Sequence, residues 1–271
     1  MKRSTALFIF SIGIGLYCLL PFLWFVLTSL KSQSELTAIP PKFIPAFQLG
    51  FYQSALEKHG LLRYIANSVI VAGTAALITI AIGSLAAYAM ARLQLAWTRY
   101  YLLALLAVSM FPQIAIAGPV WSILNRMEWL NTYQGLVAAY VALSLPLAIW
   151  ILTTFFREVP GEIEEAALID GCSRWQALCR VVLPLAAPGI LTAALLVFIH
   201  SWNEFFFALI IMTDPNVQTL PVGIALFPGE YTMPWGEIAA ASTLATLLLV
   251  LLTLFFQRGI VRGLSAGAVK G

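Results

Sequence analysis

The sequence predicts an all-α integral membrane protein with six transmembrane helices, and three observations carry the prediction. Hydrophobic residues make up 61% of the 271 positions and charged residues 10%, against roughly a quarter charged in soluble proteins. Six apolar stretches are each long enough to cross a bilayer, which takes about 20 residues. One long polar island, residues 157–184, separates the fourth stretch from the fifth. A single membrane domain over residues 1–271 accounts for the whole chain. The formal charge of +3, spread over scattered basic residues, leaves no electrostatic footprint for nucleic acid.

Lys2-Arg3 precede the first span, 6–30, which is longer than the roughly 7–15-residue core of a signal peptide. Residues 31 to about 63 hold Pro40, Pro41 and Pro45 with Phe43, Phe47, Phe51 and Tyr52, and read as an extramembrane loop with short interfacial structure. The second span, 65–91, carries Gly83, Ser84, Ala86, Ala87 and Ala91. Small residues let helices approach closely, so this span is expected to pack against another. The third span, 100–123, contains Pro112 and Pro119, and the fourth, 133–156, contains Pro146. Proline removes a donor and kinks a helix, so bends are expected there. Beyond the island come the fifth span, 185–212, a loop over 213–235 without lysine or arginine, and the sixth span, 238–256.

With the N-terminus inside, ten of the fifteen basic residues fall in inner segments (Lys2, Arg3, Arg92, Arg99, Arg157, Arg174, Arg180, Arg258, Arg262, Lys270). The outer segments hold Lys31, Lys42, Lys58, Arg63 and Arg126. Positive charge accumulates on the cytoplasmic side, so both termini and the island are expected there. Cys18, Cys172 and Cys179 are then poor candidates for a structural disulfide, since two lie in a reducing compartment. His59 and His200 are the only histidines and neither has a neighbour at metal-binding spacing, so no metal site is expected.

The island reads as two short helices around a corner. Pro160 suits a first helical position, and Glu162, Glu164 and Glu165 crowd the first turns, where carboxylates favour the helix dipole. Gly171 can take the positive φ that ends a helix, and Ser173 with Gln176 forms a capping box for the next, expected to end before Pro184. Ile163, Ala166, Ala167 and Asp170 share a small, flat face suited to close contact with another protein.

Within the fifth span a second polar cluster stands out. His200, Asn203, Glu204 and Phe207 fall at i, i+3, i+4 and i+7, hence on one face of a continuous helix. A carboxylate at mid-helix costs about 2.5–3.5 kcal/mol on insertion scales, so it must face protein or water. Two roles fit equally: a polar and aromatic wall of a translocation route, or interhelical hydrogen bonding that fixes the bundle. A proton relay through His200 and Glu204 is a lesser third.

Glu165-Ala166-Ala167, Gly171, Val181 and Leu183-Pro184 together resemble the EAA motif of the membrane subunits of bacterial ABC importers, with valine where isoleucine is usual. Asn67-Ser68, Ala87-Tyr88, Phe156-Arg157-Glu158-Val159-Pro160, Ser201-Trp202-Asn203-Glu204-Phe205 and the tail Gly263-Leu264 with Ala266 to Gly271 extend the resemblance over nearly the whole chain. They are similar to the maltose-transporter type of carbohydrate permease, the branch called type I importers. The resemblance implies a cytoplasmic coupling helix between spans four and five, with Glu164, Glu165, Ala166, Ala167, Asp170, Gly171 and Pro184 serving ATPase coupling. It implies a heterodimer with a second, similar permease subunit, two ATPase subunits and an extracytoplasmic sugar-binding protein, all at the bacterial inner membrane among its lipids. The 213–235 loop would probe the binding protein, and Gly267, Val269 and Lys270 would reach the ATPase subunits. The cargo would be a sugar or sugar derivative, a disaccharide or small glycoside before others.

The sequence has no Gly-x-x-x-x-Gly-Lys-Ser/Thr phosphate loop, so ATP and Mg are expected on the partner ATPase, with no catalytic residue or cofactor on this chain. A secondary active transporter, running without ATP, is the alternative; it would show internal repeats around broken helices, and no convincing repeat is present. A membrane-embedded enzyme would need more than His200 and Glu204.

Overall fold

The computed structural model describes residues 2–93, 96–227 and 233–268, and among these every regular element is a helix. Helices α1 (Lys2–Ser29), α2 (Gln33–Leu36), α3 (Gly50–Glu57) and α4 (Leu61–Arg92) come first. They are followed by α5 (Thr98–Ser109), α6 (Gln113–Arg126) and α7 (Tyr133–Glu158). The polar island forms α8 (Gly161–Ile169), α9 (Arg174–Ala177), a π-helical turn (Leu178–Val182) and α10 (Leu183–Leu185). Then come α11 (Ala187–Asn203), α12 (Phe206–Ile211), α13 (Leu220–Ala225) and α14 (Trp235–Ala268).

Four segments are long and apolar enough to cross a membrane: Phe10–Ser29, Leu61–Arg92, Tyr133–Glu158 and Trp235–Phe256. Two bent pairs bring the number to six if each is one span. The third span, expected over 100–123 with bends at its prolines, is broken outright: α5 and α6 meet at 89°. Pro112 causes the break, because it cannot donate to the preceding turn and instead opens α6 with extended ψ. Pro119 and Pro146 lie inside α6 and α7 without ending either. The fifth span departs from 185–212 as well. Residues Arg174–Leu185 meet Ala187–Asn203 at 79°, and the helix stops again at Asn203.

The chain divides into two compact units, Met1–Ile65 with Val222–Leu249, and Ala66–Pro221 with Val250–Gly271. In the first, the loop after α1 is held by a hydrogen bond between the hydroxyls of Ser29 and Tyr52 at 2.7 Å. The Glu35 carboxylate accepts from the backbone N–H groups of Ser32 and Ala46, at 3.0 and 3.1 Å. His59 stacks on Phe227 with ring centres 4.3 Å apart.

In the second unit α7 is central, with α5, α11 and α12 packed against it. The small residues of α4 do what their size predicts. Ala87 is fully buried, and a Cβ on Gly83 would stand 3.3 Å from Cδ1 of Leu152 on α7. Ala87, Tyr88, Leu152, Phe156, Leu178 and Val182 form one apolar cluster that joins α4, α7 and the island. One turn along α7, Gly189 of α11 lies so close to Phe155 that an added Cβ would stand 2.7 Å from Cβ of Phe155 and overlap its ring. Gly189→Ala is therefore expected to destabilise the chain by about 1–3 kcal/mol through overpacking. A lowered thermal midpoint in detergent checks this, and an unchanged midpoint refutes the close approach.

Candidate functional site

The island is built as its local sequence dictates. Pro160 is the N-cap of α8, and Glu162 and Glu164 sit in its first turn. At the far end the Cys172 N–H reaches the Ala167 carbonyl at 3.0 Å and the Gly171 N–H the Leu168 carbonyl at 3.1 Å. This is a Schellman cap around Gly171, whose φ is +90°. Ser173 and Gln176 exchange the two bonds of a capping box, at 2.8 and 3.3 Å. The second leg does not stop before Pro184; it runs through to Leu185. The π-helical turn over Leu178–Val182 ends two residues before this proline, widening the turn that faces its missing N–H.

Adjacent carboxylates in α8 take opposite positions. Glu164 is 5% exposed, while Glu165, Ala166, Asp170 and Gly171 face outward and Ala167 is half-buried. The buried Glu164 carboxylate accepts from the Tyr88 hydroxyl at 2.5 Å and stands 3.0 Å from Nε of Arg92, an ion pair not aligned as a hydrogen bond. Arg92 also donates from its terminal nitrogen to the Val159 carbonyl at 2.6 Å. Both partners come from the last turns of α4, so α8 is fastened to that helix by its inner face. The outer surface carries Ile163, Ile169 (85% exposed) and Trp175 (62% exposed) beside the exposed acids. An apolar and acidic surface on a rigidly held helix is suited to receive a basic, apolar protein cleft. Pro184 is also exposed. Gly267 falls in the last turn of α14, and Val269 and Lys270 lie outside the described residues.

The four pathway candidates do not share a helical face. Helix α11 ends at Asn203, and Glu204 turns extended with ψ 125°. The Glu204 carboxylate then caps α12, accepting from the N–H groups of Phe207 and Ala208 at 2.9 and 3.2 Å. Asn203 turns back on its own helix, donating to the Ile199 carbonyl at 2.8 Å. His200 and Phe207 nonetheless line one cavity of about 650 Å³, with Phe111, Gln113, Ser144 and Pro146, from which Asn203 and Glu204 are absent. Among the described residues the buried Ser144 hydroxyl has no hydrogen-bond partner.

Tyr88 and Arg92 were not legible as site residues. Their i, i+4 spacing at a helix end is the only local signal, and the partner carboxylate is 76 residues away from Tyr88.

Apolar helices long enough to cross a membrane, with one short helical corner clamped at their edge, mark a membrane-embedded protein. The chain belongs to the binding-protein-dependent transport system inner membrane components, the permease subunits of ABC importers, and matches that family over residues 79–266. It is 41% identical over 99% of its length to the trehalose/maltose transport system permease protein MalG of Thermococcus litoralis, covering 98% of that protein. It is 41% identical over 93% of its length to the sulfoquinovosyl glycerol transport system permease protein SmoH of Agrobacterium fabrum, covering 89% of it. Against the trehalose transport system permease protein SugB of Mycobacterium tuberculosis the identity is 39%, covering 94% and 93% of the two chains. A solved bacterial ABC transporter involved in the import of the acidic polysaccharide alginate shares the fold, with TM-score 0.78 at 19% identity over 93% of this chain and 95% of that one.

Removing one partner from a buried ion pair costs about 3–5 kcal/mol. Glu164→Ala is expected to lose stability on that scale, and Glu165→Ala, at an exposed position, to stay within about 0.5 kcal/mol. Thermal unfolding of the two purified variants decides; equal losses would refute the inward assignment of Glu164.

Proposed function

We propose that this chain is one permease subunit of an ATP-driven importer that carries a sugar or sugar derivative across the bacterial inner membrane, a disaccharide or small glycoside before others. The observation that carries the reading is the division of α8 into a buried face held by α4 and an exposed face bearing Glu165, Ala166 and Asp170. A helix so placed can transmit force from a docked subunit into the bundle. Relatives whose names specify trehalose, maltose and sulfoquinovosyl glycerol support the cargo class.

In this reading the island is the cytoplasmic coupling helix, and both termini lie on the same side. A second, similar permease completes the membrane assembly as a heterodimer. Two ATPase subunits hold ATP and Mg and bind the α8 surface, with the tail at Gly267, Val269 and Lys270 as a further contact. An extracytoplasmic sugar-binding protein delivers the cargo. ATPase closure moves α8 and with it α4, and the spans rock between inward-open and outward-open packings. Inside the bundle, His200, Phe207 and Ser144 are the pathway residues. An aromatic ring covers an apolar sugar face, and the imidazole and the unpartnered hydroxyl meet sugar hydroxyls. Glu204 and Asn203 act on the local backbone.

The test is purification of the tagged chain in mild detergent with its co-expressed partners, followed by ATP hydrolysis in nanodiscs with trehalose or maltose and the external binding protein. Sugar-dependent hydrolysis is the expected result; a lone, ATP-indifferent chain from membranes that still transport sinks the reading. A side chain at φ +90° strains the α8 cap by about 1–2 kcal/mol, so Gly171→Leu is expected to lower uptake by about tenfold while hydrolysis continues. Uptake and hydrolysis measured on the same preparation check this, and wild-type uptake would sink it.

A further inference from the structure

Helix α4 is tied at both ends to segments that lie far apart in sequence. At its C-terminal end Tyr88 and Arg92 hold Glu164 and the Val159 carbonyl. Near its other end the Asn67 amide, 3% exposed, donates to the backbone carbonyls of Asn216 and Gln218, at 3.1 and 2.8 Å. Asn67 Oδ1 in turn accepts from the Tyr133 hydroxyl at 2.7 Å, and Ser68 Oγ accepts from the Leu220 N–H at 2.7 Å. Two consecutive side chains thus satisfy three backbone groups of the 213–221 loop. That loop presents Thr213, Asp214, Pro215 and Asn216 outward and is braced from behind by Asn131, which accepts from the Asp214 N–H at 2.8 Å. Between Asn67 and Arg92 the helix is unbroken, and 25 residues at 1.5 Å each separate the two ties by about 37 Å. The neighbouring segments α5/α6 and α11/α12 are interrupted. An unbroken helix fixed by buried hydrogen bonds at both ends moves as one piece.

We infer that α4 is a strut linking the 213–221 loop to the coupling helix, with Asn67 and Ser68 as positioning residues at one end and Arg92 and Tyr88 at the other. The two ties lie at opposite ends of a membrane-crossing helix, so a load placed on this loop, the segment that the family resemblance assigns to the binding protein, shifts α8. This inference rests on the importer reading above and adds to it a named mechanical connection.

The experiment measures the ratio of stimulated to basal ATP hydrolysis for the complete complex in nanodiscs, with maltose and trehalose as probes and the external binding protein present. Asn67→Ala is expected to lower the ratio by about fivefold or more, the scale of ordinary coupling between sites. Arg92→Gln is expected to do the same, and the double variant to fall no further than the worse single one, because a strut cut at one end transmits nothing for the other end to lose. Softening the middle with Leu77→Gly and Ile78→Gly, at outward-facing positions that touch neither tie, is expected to lower the ratio as well, which a purely local role of Asn67 does not predict. If Asn67→Ala does not assemble, Tyr133→Phe removes one hydroxyl from the same tie and is read in its place. A ratio unchanged by the Asn67 or Tyr133 variant, or effects of the two ends that multiply, overturns the strut while leaving the importer reading intact. Absence of any stimulation in the wild type overturns both.

Discussion

A carboxylate and a guanidinium held together out of water govern this structure where its helices meet the polar island. Glu164 and Arg92 would each be costly to bury alone, and their 3.0 Å contact is completed by the Tyr88 hydroxyl and the Val159 carbonyl. The arrangement sets more than a bond. Burial of Glu164 fixes the rotation of α8 about its own axis, and that rotation turns Glu165, Ala166 and Asp170 outward. Because Arg92 also grips the carbonyl at the corner where α7 ends, one side chain of α4 positions both legs that meet at that corner. The apolar cluster of Ala87, Leu152, Phe156, Leu178 and Val182 also contains Tyr88 and Val159, the two residues that bond the pair.

Elsewhere the second unit is shaped by interruptions. Backbone groups in an apolar surrounding need partners, so each break must be satisfied by something near it. Pro112 meets the need at the α5/α6 corner by lacking an N–H. Glu204 meets it at the start of α12 by supplying two acceptor oxygens to N–H groups. An intramembrane carboxylate is thereby explained by the break it repairs. The same interruptions create space: Phe111 beside one break and Phe207 beside another both line the cavity that also receives His200.

Helix α4 behaves differently because its sequence differs. It has no proline, and its small residues let α7 approach without distorting it. Continuity allows a displacement at one end to be felt at the other, whereas a bent segment absorbs displacement at its corner. Within one unit, α7 and the broken helices beside it line the cavity, while α4 joins the 213–221 loop to the island.

Local features were legible from the sequence because their partners lie within four or five residues. The Ser173–Gln176 box, the positive φ of Gly171 and the start of α8 after Pro160 follow from short-range hydrogen bonding; that Gly83 and Ala87 pack closely follows from their size, though the helix they meet does not. The apolar composition likewise settles that the chain is a helical membrane protein, since only helices and closed barrels satisfy the backbone in lipid. Tertiary structure alone distinguished Glu164 from Glu165. The two are identical in type and adjacent, and the difference between them is an arginine and a tyrosine more than seventy positions away. It also decided that Asn203 and Glu204 part company with His200 and Phe207. A periodicity argument assumes an unbroken helix, and whether a helix breaks depends on whether a nearby carboxylate can satisfy the amides that the break releases.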